Sequence, residues 1–158
     1  MRAMILAAGR GERLRPLTDK MPKVLAEVCG DALIERHLRM LAACGVDTVV
    51  INLGWLGEQL VERLGGGDRF GLRIIYSPEY DNILETAGGI QRALPMLGQE
   101  PFWVINGDVF TDFCLDDMEV DGTALGHLVL VPKPDWRERG DFDLDDGLLQ
   151  NGPRRRYT

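Results

Sequence analysis

The chain is predicted to fold as an α/β three-layer sandwich, Rossmann-like in arrangement, around a mostly parallel mixed sheet. Three observations point there. Short apolar, β-branched runs alternate with segments of helical periodicity along most of the 158 residues, which places parallel strands centrally and helices on both faces. The clearest run, Thr48–Leu53, is β-branched and continuous rather than alternating, as a strand covered on both faces requires. The segments richest in glycine and charge directly follow strand-like runs, and open α/β sheets hold their ligands beyond the carboxyl ends of the strands.

In chain order, Met4–Leu6 reads as the first buried strand. Residues Gly9–Pro22 are too punctuated by glycine, proline and charge for a regular element. From Ala32 to Cys44, the residues Leu33, Ile34, His37, Leu38 and Leu41 share a helical face, with Asp31 as a cap and Gly45 as a stop. Thr48–Leu53 is the second strand. Trp55–Leu64 is the second helix, with Leu56, Leu60, Val61 and Leu64 on one side and Gly65-Gly66-Gly67 ending it. Leu72–Tyr76 is the third strand, and Thr86–Leu97 the third helix, ended or bent near Pro95. Phe102–Ile105 is the fourth strand and runs into Asn106-Gly107-Asp108. His127–Val131 reads as another strand and Pro153–Thr158 as the start of one more, its three arginines a solvated loop. We take residues 1–158 as a single domain.

Composition excludes several classes. The formal net charge is -7, whereas general nucleic-acid and membrane-surface binders need a basic surface. No apolar run reaches the roughly 20 residues of a membrane span, and the N-terminus does not read as a signal peptide. Cys29, Cys44 and Cys114 are scattered and odd in number, which suits a reducing cytoplasm and small core positions rather than a disulfide framework or zinc site. His37 reads as a hydrogen-bonded core residue. Trp55, Trp103 and Trp136 form no stacking ladder for single strands.

An acidic protein that handles phosphates must concentrate its cations locally. The run Leu6-Ala7-Ala8-Gly9-Arg10-Gly11-Glu12-Arg13-Leu14-Arg15-Pro16-Leu17-Thr18, continuing to Pro22-Lys23, does so. Its small residues let backbone amides approach phosphate oxygens, and Arg13, Arg15 and Lys23 add full charge. A dinucleotide fingerprint needs glycine where Leu14 stands, and a Walker A loop needs Gly-Lys-Ser/Thr, so this is a phosphate loop of another type. At the end of the fourth strand, Asp108 is placed either to hold a metal over the sheet edge, as magnesium is held by one or two carboxylates plus substrate phosphates, or to cap a turn. Asp112, Asp116 and Asp117 read as a solvated turn or helix start. In Leu84-Glu85-Thr86-Ala87-Gly88-Gly89, paired glycines at a helix start allow close approach to a base or ribose.

The first run, with its Gly-x-Gly-x-Arg-x-x-Pro-x-Thr pattern followed by Pro-Lys, resembles the signature of the sugar nucleotidyltransferase superfamily. That resemblance implies a fold of the nucleotide-diphospho-sugar transferase type. It implies transfer of a nucleotidyl group from a nucleoside triphosphate to a sugar 1-phosphate, with Mg2+ as cofactor and pyrophosphate as product. It assigns nucleotide contacts to Ala8, Gly9, Gly11, Arg13 and Lys23, and to Glu85, Thr86, Ala87 and Gly88. It assigns the metal to Asp108, catalytic roles to Arg13, Lys23 and Asp108, and sugar contacts to Asn106, Gly140 and Asp141. Val24 stands where many members have a second proline.

Within the superfamily, segments such as Trp55-Leu56-Gly57, Tyr76-Ser77-Pro78-Glu79 and Arg139-Gly140-Asp141-Phe142 are most similar to the N-acetylmuramate-1-phosphate uridylyltransferases of bacterial cell-wall (peptidoglycan) recycling. This implies UTP and N-acetylmuramate 1-phosphate as substrates. The alternatives are a mannose-1-phosphate guanylyltransferase-like enzyme and a non-catalytic nucleotide-sugar-binding module. A homo-oligomer is compatible with the sequence. Superfamily members continue into a C-terminal portion with further sugar contacts and a second metal-binding aspartate, and the chain to Thr158 is expected to lack it.

Overall fold

The computed structural model describes residues 1–79, 84–113, 115, 122–152 and 155–158. The sequence reading treats the chain as one domain, whereas the structure divides it into two compact units, Met1–Asp116 and Asp117–Thr158.

The first unit contains β1 (Arg2–Leu6), β2 (Glu27–Val28), β3 (Asp31–Ala32), α1 (Leu33–Ala43), β4 (Thr48–Leu53), α2 (Gly57–Leu64), β5 (Arg73–Pro78), α3 (Glu85–Leu97) and β6 (Phe102–Asn106). The central sheet runs β5-β4-β1-β6 and is parallel throughout. Alternate residues of β1 face opposite sides, as strand geometry demands. Ala3 and Ile5 join Val49 and Ile51 beneath Ile34, Leu38 and Leu41 of α1 and Leu60 and Leu64 of α2. Met4 and Val50 meet Ala93 and Leu97 of α3 on the other side. These are the three expected layers.

The strand order also locates the ligand crevice. From β1 the chain steps outward to β4 and β5, then crosses back over the sheet to β6 on the other flank of β1. That reversal is a topological switch point, where such sheets bind ligands. Leu6 pairs with Asn106, so the glycine-rich loop and Asp108 leave the same end of two adjacent strands.

Several local expectations are corrected. Asp31 does not cap α1; it lies in β3 and pairs with Arg39 at 3.0 Å. Trp55 and Leu56 precede α2 rather than open it, Leu56 taking φ 53, and Val61 is exposed. The third helix does end near Pro95 as expected, at Leu97, and is closed by Gly98 at φ 87; proline near a helix end forfeits little beyond its own N–H bond. Cys29 is not a core residue. It is exposed at φ 55 in the β2–β3 turn, while Cys44 is half-buried. Cys114, Asp116, Asp117, Pro153 and Arg154 lie outside the described residues.

The second unit holds an antiparallel hairpin of β7 (Asp143–Asp145) and β8 (Leu148–Gln150). Asp146 and Gly147, both at positive φ, make the two-residue turn that matches strand twist. His127–Val131 forms no strand, and Leu128, Val129 and Val131 are exposed. An apolar run needs a partner ladder to become a strand. Here Val131 and Lys133 bond to Thr158 and Arg156, and single bridges run from Tyr157 to Pro132 and Phe142, without a continuous ladder among the described residues. The expected last strand is thus reduced to Tyr157 and its neighbours.

Candidate functional site

A cleft of about 160 Å³ opens at the carboxyl ends of β1, β4, β5 and β6, lined by Leu6, Ala8, Gly9, Lys23, Asn52, Glu79, Glu85, Thr86, Asn106 and Asp108. It gathers residues from every sequence segment assigned to nucleotide or metal in the first unit. A larger cavity of about 330 Å³ lies between α1 and residues 109–113. The smaller of these two is the candidate site, because it joins the glycine loop to the strand-end carboxylate.

The loop after β1 is fastened along its length. Short 3-10 turns span Glu12–Leu14, Leu17–Asp19 and Lys23–Leu25. Buried Thr18 donates its hydroxyl to the Gly11 carbonyl at 2.8 Å, and Gly11 sits at φ 66. Trp55 donates its indole N–H to the Thr18 carbonyl at 2.8 Å, and Gln59 donates to the Lys20 carbonyl at 3.0 Å. Arg10 lies over the Trp55 ring at 4.4 Å. Arg15 is occupied by Asp19 and Glu12, at 3.4 and 3.7 Å. Arg13 is exposed, with no carboxylate partner among the described residues.

Lys23 and Asp108 meet directly, Nζ donating to Oδ2 at 2.6 Å, with side chains 21% and 39% exposed. A pair this open to water contributes about 1 kcal/mol or less, so a phosphate or a cation can separate it. Gly107 holds Asp108 in place. Its amide donates to the Leu6 carbonyl at 3.0 Å, and a β-carbon there would stand 2.8 Å from Val24 and 2.9 Å from the Leu6 oxygen. Among the described residues no three metal-ligating side chains converge. One carboxylate already holding an ammonium group fits a magnesium ion whose other ligands are phosphates and water.

Ala8, Gly9, Lys23, Glu85, Thr86, Asn106 and Asp108 therefore share the cleft, while Gly11, Arg13, Ala87 and Gly88 are not among its lining residues. Glu85 opens α3 at φ 57, a left-handed conformation uncommon for a side-chain-bearing residue. Gly140 and Asp141 belong to the second unit. There the Gly140 amide donates to the Arg155 carbonyl at 2.6 Å, and Asp141 accepts from the Thr158 hydroxyl and from Arg137. The Thr158 hydrogen bond foremost, and the Arg137 charge, hold the Asp141 carboxyl below its usual range.

Two lining residues, Asn52 and Glu79, escaped the sequence reading. Both are buried, at 4% and 2% exposure. The available signal was an amide side chain inside the otherwise apolar run Thr48–Leu53.

The Nucleotidyl transferase family profile matches residues 2–135. The chain is 50% identical over 149 residues to an N-acetylmuramate alpha-1-phosphate uridylyltransferase of Neisseria meningitidis serogroup B, covering 91% of this chain and 64% of that protein. It is 45% identical over 108 residues to a protein of the same name from Caulobacter vibrioides, covering 67% of this chain and 45% of that one. The chain thus spans less than two thirds of the length of either relative. Among solved structures, a CTP:phosphocholine cytidylyltransferase from Streptococcus pneumoniae superposes with TM-score 0.57 at 30% identity, over 75% of this chain and 50% of that one. The matched segment contains the glycine loop, the parallel sheet and the Lys23–Asp108 pair, and the chain belongs to the nucleotidyl transferase family.

Proposed function

We propose that this chain is the nucleotide-binding part of a magnesium-dependent enzyme that joins UTP and N-acetylmuramate 1-phosphate, giving a UDP-sugar and pyrophosphate. The observation that carries this is the Lys23–Asp108 pair at 2.6 Å beside Gly9. It sets a cation, a carboxylate and a bare backbone turn around one cleft of about 160 Å³. The choice of uridine and of the acidic sugar rests on the 50% identity to the Neisseria protein.

The nucleophile is a sugar-phosphate oxygen, already anionic near neutral pH, so the reaction needs no general base. That oxygen bonds to the α-phosphorus of the triphosphate while the bond from this phosphorus to the bridging oxygen of the departing pyrophosphate breaks. The barrier is repulsion between polyanions, and the residues act by position and charge. Gly9 leaves room for phosphate against the main chain, and Gly11, at φ 66, turns the loop tightly against Thr18 and Lys23. Lys23, released from Asp108, spans the reacting phosphates. Arg13, exposed and without a carboxylate partner among the described residues, takes the pyrophosphate. Glu85 and Thr86, which line the cleft, are assigned to the nucleoside together with Ala87 and Gly88, while Asn106, Gly140 and Asp141 are assigned to the sugar. Asp108 would hold magnesium, which supplies positive charge against the developing negative charge on the phosphates. The proposed setting is cytoplasmic, where the exposed Cys29 thiol stays reduced.

The test is pyrophosphate release across UTP, GTP and dTTP with a panel of sugar 1-phosphates. UTP with N-acetylmuramate 1-phosphate should be fastest, and Arg13→Ala and Asp108→Ala should each cost about a hundredfold. Near-normal turnover in both folded variants would defeat the mechanism. Preference for GTP and mannose 1-phosphate would move the chain to the guanylyltransferase reading. Tight UTP binding without pyrophosphate release would favour a binding module.

A further inference from the structure

We infer that Asn52 and Glu79 are positioning residues for nucleotide binding, through one buried hydrogen-bond relay that ties the glycine loop to the start of α3. The inference rests on the cleft being a nucleotide site.

The Ala7 amide, at the root of the glycine loop, donates to Asn52 Oδ1 at 2.6 Å. Because that N–H can meet only an acceptor, the Asn52 amide has one orientation, with Nδ2 turned to Glu79 Oε1 at 2.9 Å. The other oxygen, Oε2, accepts the Leu84 amide at 3.2 Å, immediately before α3. Three links thus join the phosphate side of the cleft to the Glu85–Thr86 side. Both oxygens of the buried Glu79 carboxylate accept from neutral donors, and among the described residues no cation meets it. This is costly unless every bond is made. Gly89 of α3 packs on the relay, where a β-carbon would stand 2.8 Å from Glu79 Oε1 and 3.1 Å from Asn52 Nδ2. The helix carrying the nucleoside wall therefore rests on the group that orients the phosphate loop.

The polarity of the relay makes a sharp test available. Glu79→Gln leaves one acceptor for two donors. Asn52→Asp sets two carboxylates face to face. Together they restore every bond with the direction of the middle link reversed. The new carboxylate at position 52 accepts from the Ala7 amide and from the new amide group at position 79. The side-chain oxygen at position 79 still accepts from Leu84, and one negative charge is kept. All four proteins have side chains of nearly the same volume. UTP affinity is read by calorimetry on the full chain, and Ala7 amide exchange by NMR without nucleotide. Each single variant should bind UTP about tenfold more weakly and exchange faster at Ala7, with the double variant within about threefold of the parent on both measures. Single variants that bind UTP normally while Ala7 exchange accelerates would reduce the relay to architecture and overturn the inference. So would a double variant as impaired as the two singles combined. If the parent chain bound no UTP, the nucleotide reading of the cleft would fall, and with it the binding role; failure of Ala7 exchange to follow the same four-protein pattern would separately refute the relay.

Discussion

Replacing Gly54 with alanine is expected to disable nucleotide binding while leaving the sheet intact. Gly54 follows β4 and lies against the glycine loop. A β-carbon there would stand 2.3 Å from the Ala8 carbonyl oxygen, 2.9 Å from its carbonyl carbon and 3.0 Å from its α-carbon. All three are backbone atoms, so no side chain can rotate away. Carbon–oxygen contacts of this kind settle near about 3.3 Å, so Ala8 must move by about 1 Å. That movement breaks the bond from the Trp55 amide to the Ala8 carbonyl, 3.4 Å long, and shifts Ala8 and Gly9 within the cleft. Overpacking of this size costs about 1–3 kcal/mol of stability, or roughly 3–10 °C in melting temperature for a domain of this length. A misplacement of about 1 Å at a phosphate site costs up to about a hundredfold. Calorimetric titration with UTP and a thermal melt measure both effects. Gly66→Ala is the control, since its nearest neighbour is Asp68 Oδ2 at 3.5 Å, and it should match the parent. A Gly54→Ala protein with parental melting temperature and UTP affinity would refute the close approach on which the loop geometry depends.

Two further outcomes follow from charge. Buried Glu35 accepts from Arg63 at 2.8 Å, Arg69 at 2.7 Å and Arg39 at 3.4 Å; none of these residues lines the cleft, so Glu35→Gln should lower stability to urea by about 1–3 kcal/mol without changing UTP affinity. Burial raises the Glu35 pKa, but the hydrogen bonds and charges of Arg63 and Arg69 outweigh it and hold the carboxyl below its ordinary 4.5. Its contribution is therefore present above pH 4.5 and lost as pH falls below that value, a loss that Glu35→Gln should abolish. For His37, burial foremost and the Arg36 charge lower the pKa from 6.5, against the Val109 backbone bond and the Asp108 charge. Unfolding then takes up a proton, so stability is full above pH 6.5 and declines on acidification from there. Urea melts between about pH 8 and pH 5 should show that decline in the parent and a flatter profile in His37→Gln; parallel profiles would exclude His37 as the source.

The strands, helices and layers were legible because burial on both faces writes itself into continuous β-branched runs such as Thr48–Leu53 and into the periodic face of α1. The glycine loop was legible because its chemistry is local, with small residues and cations within a single stretch. His127–Val131 misled because an apolar run carries no information about whether a partner ladder exists. Asp31 misled because Arg39, on α1, competes for the carboxylate a cap would use. Asn52 and Glu79 were hidden for a different reason. Their meaning lies in what they touch, Ala7 and Leu84, and a chain of hydrogen bonds between segments far apart in the chain leaves no spacing in the sequence to find.

At the end of β6, a divalent cation and a triphosphate are expected to meet on Asp108. A crystal of the chain grown with UTP and Mn2+ and measured at the manganese absorption edge tests this directly. The expected anomalous peak lies at coordination distance, about 2.1 Å, from the Asp108 carboxylate, with Lys23 withdrawn onto phosphate. A manganese–UTP pair seated elsewhere, with Lys23 still bonded to Asp108, would contradict it.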